Sequence, residues 1–356
     1  MKSKILFFLL ISGLGFSQQK NVTIKNLPPK MEDFNFPLVS YSQNPRIENK
    51  INTFLQVDQL EYIPGSGESP SKLVLSGKTS YSNYVYFYSW EKMETPQNIL
   101  SIAIDGEATG AYPEGFSIWK NFDLRTGNLI NAKDLFQPDS RKLIENLIQK
   151  SVKKEINDFL VELKSEKDPS SEVADQISIY EECYTNYKLE SIRYYFGKDK
   201  LRFIAGRCSN HAMRALDELG DHVVDIPYKD LDTYWSSYAK NLLSGSEKVD
   251  KTSLDHKLYK GSIDGKYPIT MLIDQVYDDG SLSAKYWYNK NKKLIEWHGK
   301  LKGNHVSLLE SDYYSEETRM WILKTAIEAD IKGNKITGTW QDYNTKKYLK
   351  LELEEL

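Results

Sequence analysis

The side chains that could do chemistry are few and scattered. The five histidines are His211, His222, His256, His298 and His305. None forms HxH or HExxH, so a zinc enzyme has little support. His211 follows Cys208 closely enough to raise a nucleophile and its base, but that chemistry needs a free thiolate. There is no GxSxG and no GxxxxGKS-type loop. Glu181-Glu182, Asp278-Asp279 and Glu316-Glu317 are neighbouring acids. Neighbours on a strand point to opposite faces, so these pairs do not make a glycosidase carboxylate couple. They read as solvated turns. The expectation is a protein without catalytic residues, metal site or cofactor.

Cys183 and Cys208 are the chain's two cysteines. In an oxidising compartment a disulfide is the leading reading, and it would contribute roughly 3 kcal/mol in the chain-entropy description. Two separately buried thiols are the alternative.

The first residues set that compartment. Lys2 and Lys4 are followed by an apolar run, Ile5 to Leu14, of about ten residues, too short to span a bilayer. Gly15-Phe16-Ser17 then offers small residues before Gln18, so residues 1–17 read as a signal peptide cut after Ser17. No later stretch is apolar enough for a membrane span. The expectation is an exported chain, periplasmic or secreted. Hydrophobic residues make up 40% of the chain and permit real cores. A net charge of −3 weighs against nucleic acid or an anionic membrane as partner. The chain carries 24 Tyr against 13 Phe, a balance that suits wet sheet faces and binding surfaces.

Residues 18–243 mix helical and strand periods, which predicts an α+β domain: a largely antiparallel sheet with helices on one side. Pro37 to Tyr41 reads as a strand. Asn44-Pro45 then starts a helix with Ile47, Ile51, Phe54 and Leu55 on one face. Lys72 to Leu75 and Tyr81 to Trp90 read as strands. In the second, Tyr84, Tyr86, Tyr88 and Trp90 would share one face, either as core or as a sugar-stacking row; core is the favoured reading. Asn98 to Asp105 and Phe116 to Leu124 follow as strands, with Arg125-Thr126-Gly127 as the turn. Pro138-Asp139-Ser140 opens the strongest helix, capped by Asp139 or Ser140, with Ile144, Ile148, Val152, Ile156 and Leu160 in a ladder. Lys164 to Ser171 reads as a solvated loop. Ile192 to Phe196 and Leu201 to Ala205 form a hairpin, and Asp225 to Leu231 a closing strand with a helical turn.

Gly110-Ala111-Tyr112-Pro113, Asn121 to Gly127 and Asp134-Leu135-Phe136, with Ile51 to Gln56 as a first helix, give this region a resemblance to a known family. It resembles the extracytoplasmic domain shared by lysozyme-sensing anti-sigma factors and accessory regions of peptidoglycan deacetylases. Tyr112 stands where relatives carry a histidine, and Ser209 to Leu219 departs from the family pattern. The resemblance implies binding in the cell envelope, not catalysis, with a lysozyme-like protein or a peptidoglycan-related glycan as partner. Loops on a rigid sheet commonly carry recognition. The binding residues are therefore expected at Gly110, Ala111 and Tyr112 and at Asp123, Arg125, Thr126 and Gly127.

After a polar linker, 244–254, the pattern changes to short strands with regular turns. About eight strands fill 255–356, which predicts an all-β meander or small barrel. Leu349, Leu351 and Leu353 alternate with Lys350, Glu352 and Glu354, so one face is buried. In strand count and turns the region resembles a lipocalin- or avidin-like barrel. The two halves are expected to fold separately. Two other functions stay open: a carrier of a small apolar ligand in the barrel, and a hydrolase with an unrecognised site.

Overall fold

The computed structural model of the chain describes residues 22–29, 31–67, 69–75, 84–109, 113–245 and 249–356. The expected signal peptide, residues 1–17, and Gly110 to Tyr112 lie outside the described residues. The order is an α+β part followed by a closed β barrel.

In the α+β part, β1 (Thr23–Asn26) and β2 (Pro37–Ser40) pair as a ribbon. Helix α1 (Pro45–Leu60) follows. Asn44 Oδ1 accepts from the Ile47 amide at 3.3 Å and Pro45 occupies the first turn, so the helix begins where proline's missing N–H costs nothing. Its Ile47, Ile51, Phe54 and Leu55 are buried against an antiparallel sheet of β3 (Tyr84–Lys92), β4 (Ile99–Thr109) and β5 (Pro113–Asp123). Leu100, Ile102, Ile104 and Phe122 supply the sheet's side of that core.

A second core lies between α4 (Pro138–Leu163) and the three-stranded sheet β6 (Arg193–Phe196), β7 (Lys200–Ala205) and β8 (His222–Pro227). Ile144, Ile148, Val152 and Ile156 of the expected ladder are all buried there, with Phe196, Leu201 and Phe203 opposite. The expected single sheet is thus several small ones.

Several local expectations are corrected. Residues 72–75 belong to a short helix, α2 (Pro70–Leu75), not a strand; proline at its first position opens the helix. A bulge at Tyr86 breaks the aromatic row: Val85, Tyr88 and Trp90 pack on the first core, while Phe87 turns to the other face. Tyr88, only 3% exposed, packs edge-on against Phe34 and Phe36, so its place in the core is borne out. Helix α4 starts at Pro138 after Gln137, ahead of the expected caps. Three helices were not foreseen as such: α3 (Ala132–Leu135), α5 (Ser171–Glu181) and α6 (Ser237–Ser244). Ser170 and Ser236 cap the last two by accepting from Val173 and Ala239. A 3-10 helix spans His211–Leu216.

The barrel runs β9 (Leu258–Ile263), β10 (Tyr267–Val276), β11 (Ser281–Tyr288), β12 (Ile295–Lys302), β13 (His305–Ser315), β14 (Met320–Lys332), β15 (Lys335–Asp342) and β16 (Lys347–Glu355). Successive strands pair antiparallel, and β16 closes on β9 with Gly261 opposite Leu353. A Cβ on Gly261 would stand 1.9 Å from the Glu352 carbonyl oxygen, so closure requires glycine there. Tyr259, Met271, Tyr286, Trp297, Ile327, Leu351 and Leu353 fill the interior as one buried cluster.

The two parts share a buried seam. Leu258, Leu272 and Trp287 of the barrel belong to the core under α1. Lys50 of α1 pairs with Glu355 of β16, and Lys257 and Asn128 also bond Glu355, at 2.9 and 2.8 Å. The segment leading into the barrel is packed as well: Lys251 is 3% exposed and donates to the Asp255 carbonyl.

Candidate functional site

The turn after β5 is part of that seam. Asp123 is fully buried, and its carboxylate takes a two-pronged bond from Arg125, Nε at 2.9 Å and Nη2 at 2.8 Å. The Tyr238 hydroxyl of α6 donates to the same carboxylate at 3.3 Å, and the Arg125 guanidinium lies over the Tyr238 ring. Thr126 Oγ1 accepts from the Asn128 amide. Gly127 adopts φ +75°, donates to the Asp123 carbonyl at 2.7 Å and packs on Lys50 and Ile47. These four residues therefore brace α1, α6 and the 249–250 segment. They do not stand free as a recognition loop.

The hairpin β4–β5 has a different setting. Thr109 pairs with Pro113, and the strands leading to that pair form one wall of a groove of about 930 Å³. Asp105 and Glu107 of β4, Glu114 and Ser117 of β5 and Phe87 of β3 face it. Asp105 accepts from Ser117 Oγ at 2.5 Å. Glu107 accepts from the Tyr86 hydroxyl, which pushes that phenol's pKa up. Across the groove stand Arg193, Arg207, His211 and Arg214. Arg193 pairs with Asp221 at 2.8 Å and lies over the Trp119 ring. His211 Nδ1 approaches Glu114 Oε1 across the groove at 3.8 Å. Arg207, half-buried, and Arg214, exposed, have no carboxylate partner among the described residues.

Apart from Arg193 of β6, the second wall comes from the chain between β7 and β8. Cys183 and Cys208 form the expected disulfide, with the sulfurs 2.11 Å apart. It ties the end of α5 to the start of that segment, and the Tyr187 hydroxyl donates to the Gly206 carbonyl at 3.4 Å. At the segment's far side Asp217 accepts from the Ser209 and Gly220 amides and the Tyr180 hydroxyl, at 2.9, 3.1 and 2.9 Å. Burial alone would raise its pKa, but these donors hold it below the ordinary carboxylate value. The wall is thus held from within, and its arginines are left to face the groove.

Of the expected binding residues, Asp123, Arg125, Thr126 and Gly127 lie in the seam and Gly110 to Tyr112 are outside the described residues; the hairpin stem that faces the groove was not among them. Arg193, Arg207 and Arg214 were missed. Their signal in the sequence is weak: three arginines spread over 22 positions around a cysteine, of which Arg214 alone lies in the stretch Ser209 to Leu219 that departs from the family pattern. The sulfur of Cys208 meets His222 rather than His211, at 3.4 Å. The neighbouring acids are exposed, as expected of solvated turns.

Among solved structures, the chain is similar to a member of the DUF3298 family from Bacteroides fragilis, at 17% identity, over 59% of this chain and 87% of that one, with a TM-score of 0.36. It is also similar to a DUF3298 family protein from Pseudomonas aeruginosa PAO1, at 13% identity, over 61% of this chain and 92% of that one, with a TM-score of 0.39. These neighbours carry a domain of unknown function. Scores this low carry neither fold nor activity across. No protein-family model and no curated protein matches the chain.

Proposed function

We propose that this chain is an exported, non-catalytic binding protein of the cell envelope whose ligand lies in the groove between the β4–β5 hairpin and the 206–221 segment. The observation that carries this reading is the pair of guanidiniums, Arg207 and Arg214, left without carboxylates on a wall that faces Asp105, Glu107 and Glu114. Guanidinium forks bind carboxylates two-pronged, and the opposing acids suit an amine on the same ligand. A peptidoglycan fragment with peptide carboxylates and a free amine has this chemistry, and so does a surface loop of a lysozyme-like protein. Export agrees with the disulfide, and no helix among the described residues is long and apolar enough to cross a membrane. The packed barrel interior gives a carrier of apolar ligands less room.

The test is titration calorimetry of the mature chain with soluble peptidoglycan fragments in one arm and lysozyme in the other. One arm should saturate, and Arg207→Glu with Arg214→Glu should weaken it at least about tenfold, the scale of losing one charged hydrogen-bonded pair. Binding that is absent in both arms, or unchanged in the variant, would overturn the reading. Mass spectrometry of the exported protein should find Gln18 at its start; an intact Met1 would remove the compartment on which the reading rests.

A further inference from the structure

The groove uses neither the disulfide nor the side chains around it, and those side chains form a relay. His222 opens β8, where alternate side chains point inward, and it is fully buried. Its Nε2 lies 3.4 Å from Cys208 Sγ, and its Nδ1 lies 2.8 Å from Glu155 Oε2. Glu155 comes from α4, at the solvent edge of the face that meets β8, and is 46% exposed. A carboxylate on Nδ1 favours a proton on that nitrogen, which leaves Nε2 as the atom facing sulfur. Cys183 Sγ lies within 4.8 Å of the same ring, but of the two sulfurs Cys208 makes the hydrogen-bond contact with it, at 3.4 Å. Both cysteines are half-buried, so thiols in solvent can reach the bridge.

We propose that Cys183–Cys208 is an exchange-active disulfide, in which an external thiol attacks Cys183 and Cys208 leaves as a thiolate held by His222 and Glu155. In the first step the attacking thiolate bonds to Cys183 Sγ as the Cys183–Cys208 bond breaks. The electron pair of that bond stays on Cys208 Sγ. The proton lost when the external thiol ionised is carried by His222 Nε2, which donates to the new thiolate. In the second step another thiolate of the reductant attacks the incoming sulfur and releases Cys183. The protein gains two electrons and two protons, and the reductant, a dithiol or two monothiols, closes its own disulfide. The direction of attack follows from the geometry, because the sulfur with the lower thiol pKa leaves faster and a cationic neighbour lowers that pKa. Stabilising the reduced form makes the disulfide more oxidising than an inert staple. Opening it would also cut the covalent tie between α5 and the segment that walls the groove, whatever the groove holds.

The experiment uses the full mature chain and dithiothreitol in excess at neutral pH. Reduction of the wild type should be faster than that of His222→Asn by about tenfold, with Glu155→Gln between them. Brief exposure to glutathione followed by acid quench and peptide mapping should place the adduct on Cys183. In the reduced wild type, the pH midpoint of alkylation should be at least about one unit lower for Cys208 than for Cys183, whose value should sit near the ordinary ~8.5. Equal midpoints for the two thiols, or a Glu155→Gln rate equal to wild type, would show a structural bridge only. The last two readouts need no change at the buried histidine, so they decide the matter even where His222→Asn does not fold.

Discussion

Lys50 Nζ lies 3.2 Å from Glu355 Oε1, two buried side chains 305 positions apart that join the first long helix to the last barrel strand. Lys50 also donates to the Leu356 carbonyl, and Glu355 also accepts from Lys257 and Asn128. The partners do not gain equally. Burial lowers the Lys50 pKa from 10.5 to about 8 in spite of Glu355. Burial alone would raise Glu355, but Lys50, Lys257 and Asn128 bring it below the ordinary carboxylate value.

That asymmetry predicts different costs for the two halves of the pair. Glu355→Gln strands the almost wholly buried Lys50, while Lys257 keeps Asp250 at 3.5 Å, and should cost about 3–5 kcal/mol. Lys50→Met leaves Glu355 with Lys257 and Asn128 and fills the same volume, so it should cost no more than about 1.5 kcal/mol. Urea unfolding of the two variants checks this. Equal losses would mean that the seam does not favour the carboxylate as described.

The same pair predicts a pH profile. Because Lys50 titrates near 8 when folded and near 10.5 when unfolded, the unfolded chain holds more protons between those values. Stability contributed by this group therefore rises with pH across that window, by on the order of 3 kcal/mol. Glu355 acts at the other end: its contribution is complete above 4.5 and is lost as pH falls through its lower folded value. Denaturant midpoints from pH 3 to 10 should show an alkaline rise in the wild type that Lys50→Met lacks. A flat difference between the two would contradict the burial of Lys50.

The shared core bears on the two halves. The barrel has its own interior cluster, so Asp255–Leu356 alone should show a sheet spectrum and a cooperative melt. The Gln18–Leu243 fragment should melt below the full chain, because Leu258, Leu272 and Trp287 leave its core. In the full chain Trp287→Ala should cost about 3–5 kcal/mol. A fragment melting as high as the whole chain would show that the seam adds nothing.

What could be read from the sequence was what short-range periodicity encodes. Alternation in Leu349, Leu351 and Leu353 and the spacing of turns gave eight antiparallel strands, because side-chain direction in a strand repeats every two residues. The ladder from Ile144 to Ile156 gave α4 for the matching reason at helical spacing. The apolar leader and two cysteines gave the disulfide through the compartment they imply. Where the local signal was short or charged, it misled: Lys72 to Leu75 is helical, α5 hides beside a charged loop, and one extra residue at Tyr86 brings Val85 onto the core face beside Tyr88 and Trp90. The seam and the groove belong to the tertiary structure alone. Lys50 and Glu355, or Glu114 and His211, meet only after the chain has closed loops of about a hundred residues or more. No periodicity spans such a distance. Asp123 to Gly127 shows the consequence, since its turn was legible locally while its burial against α1 and α6 was decided by how the sheets and helices pack.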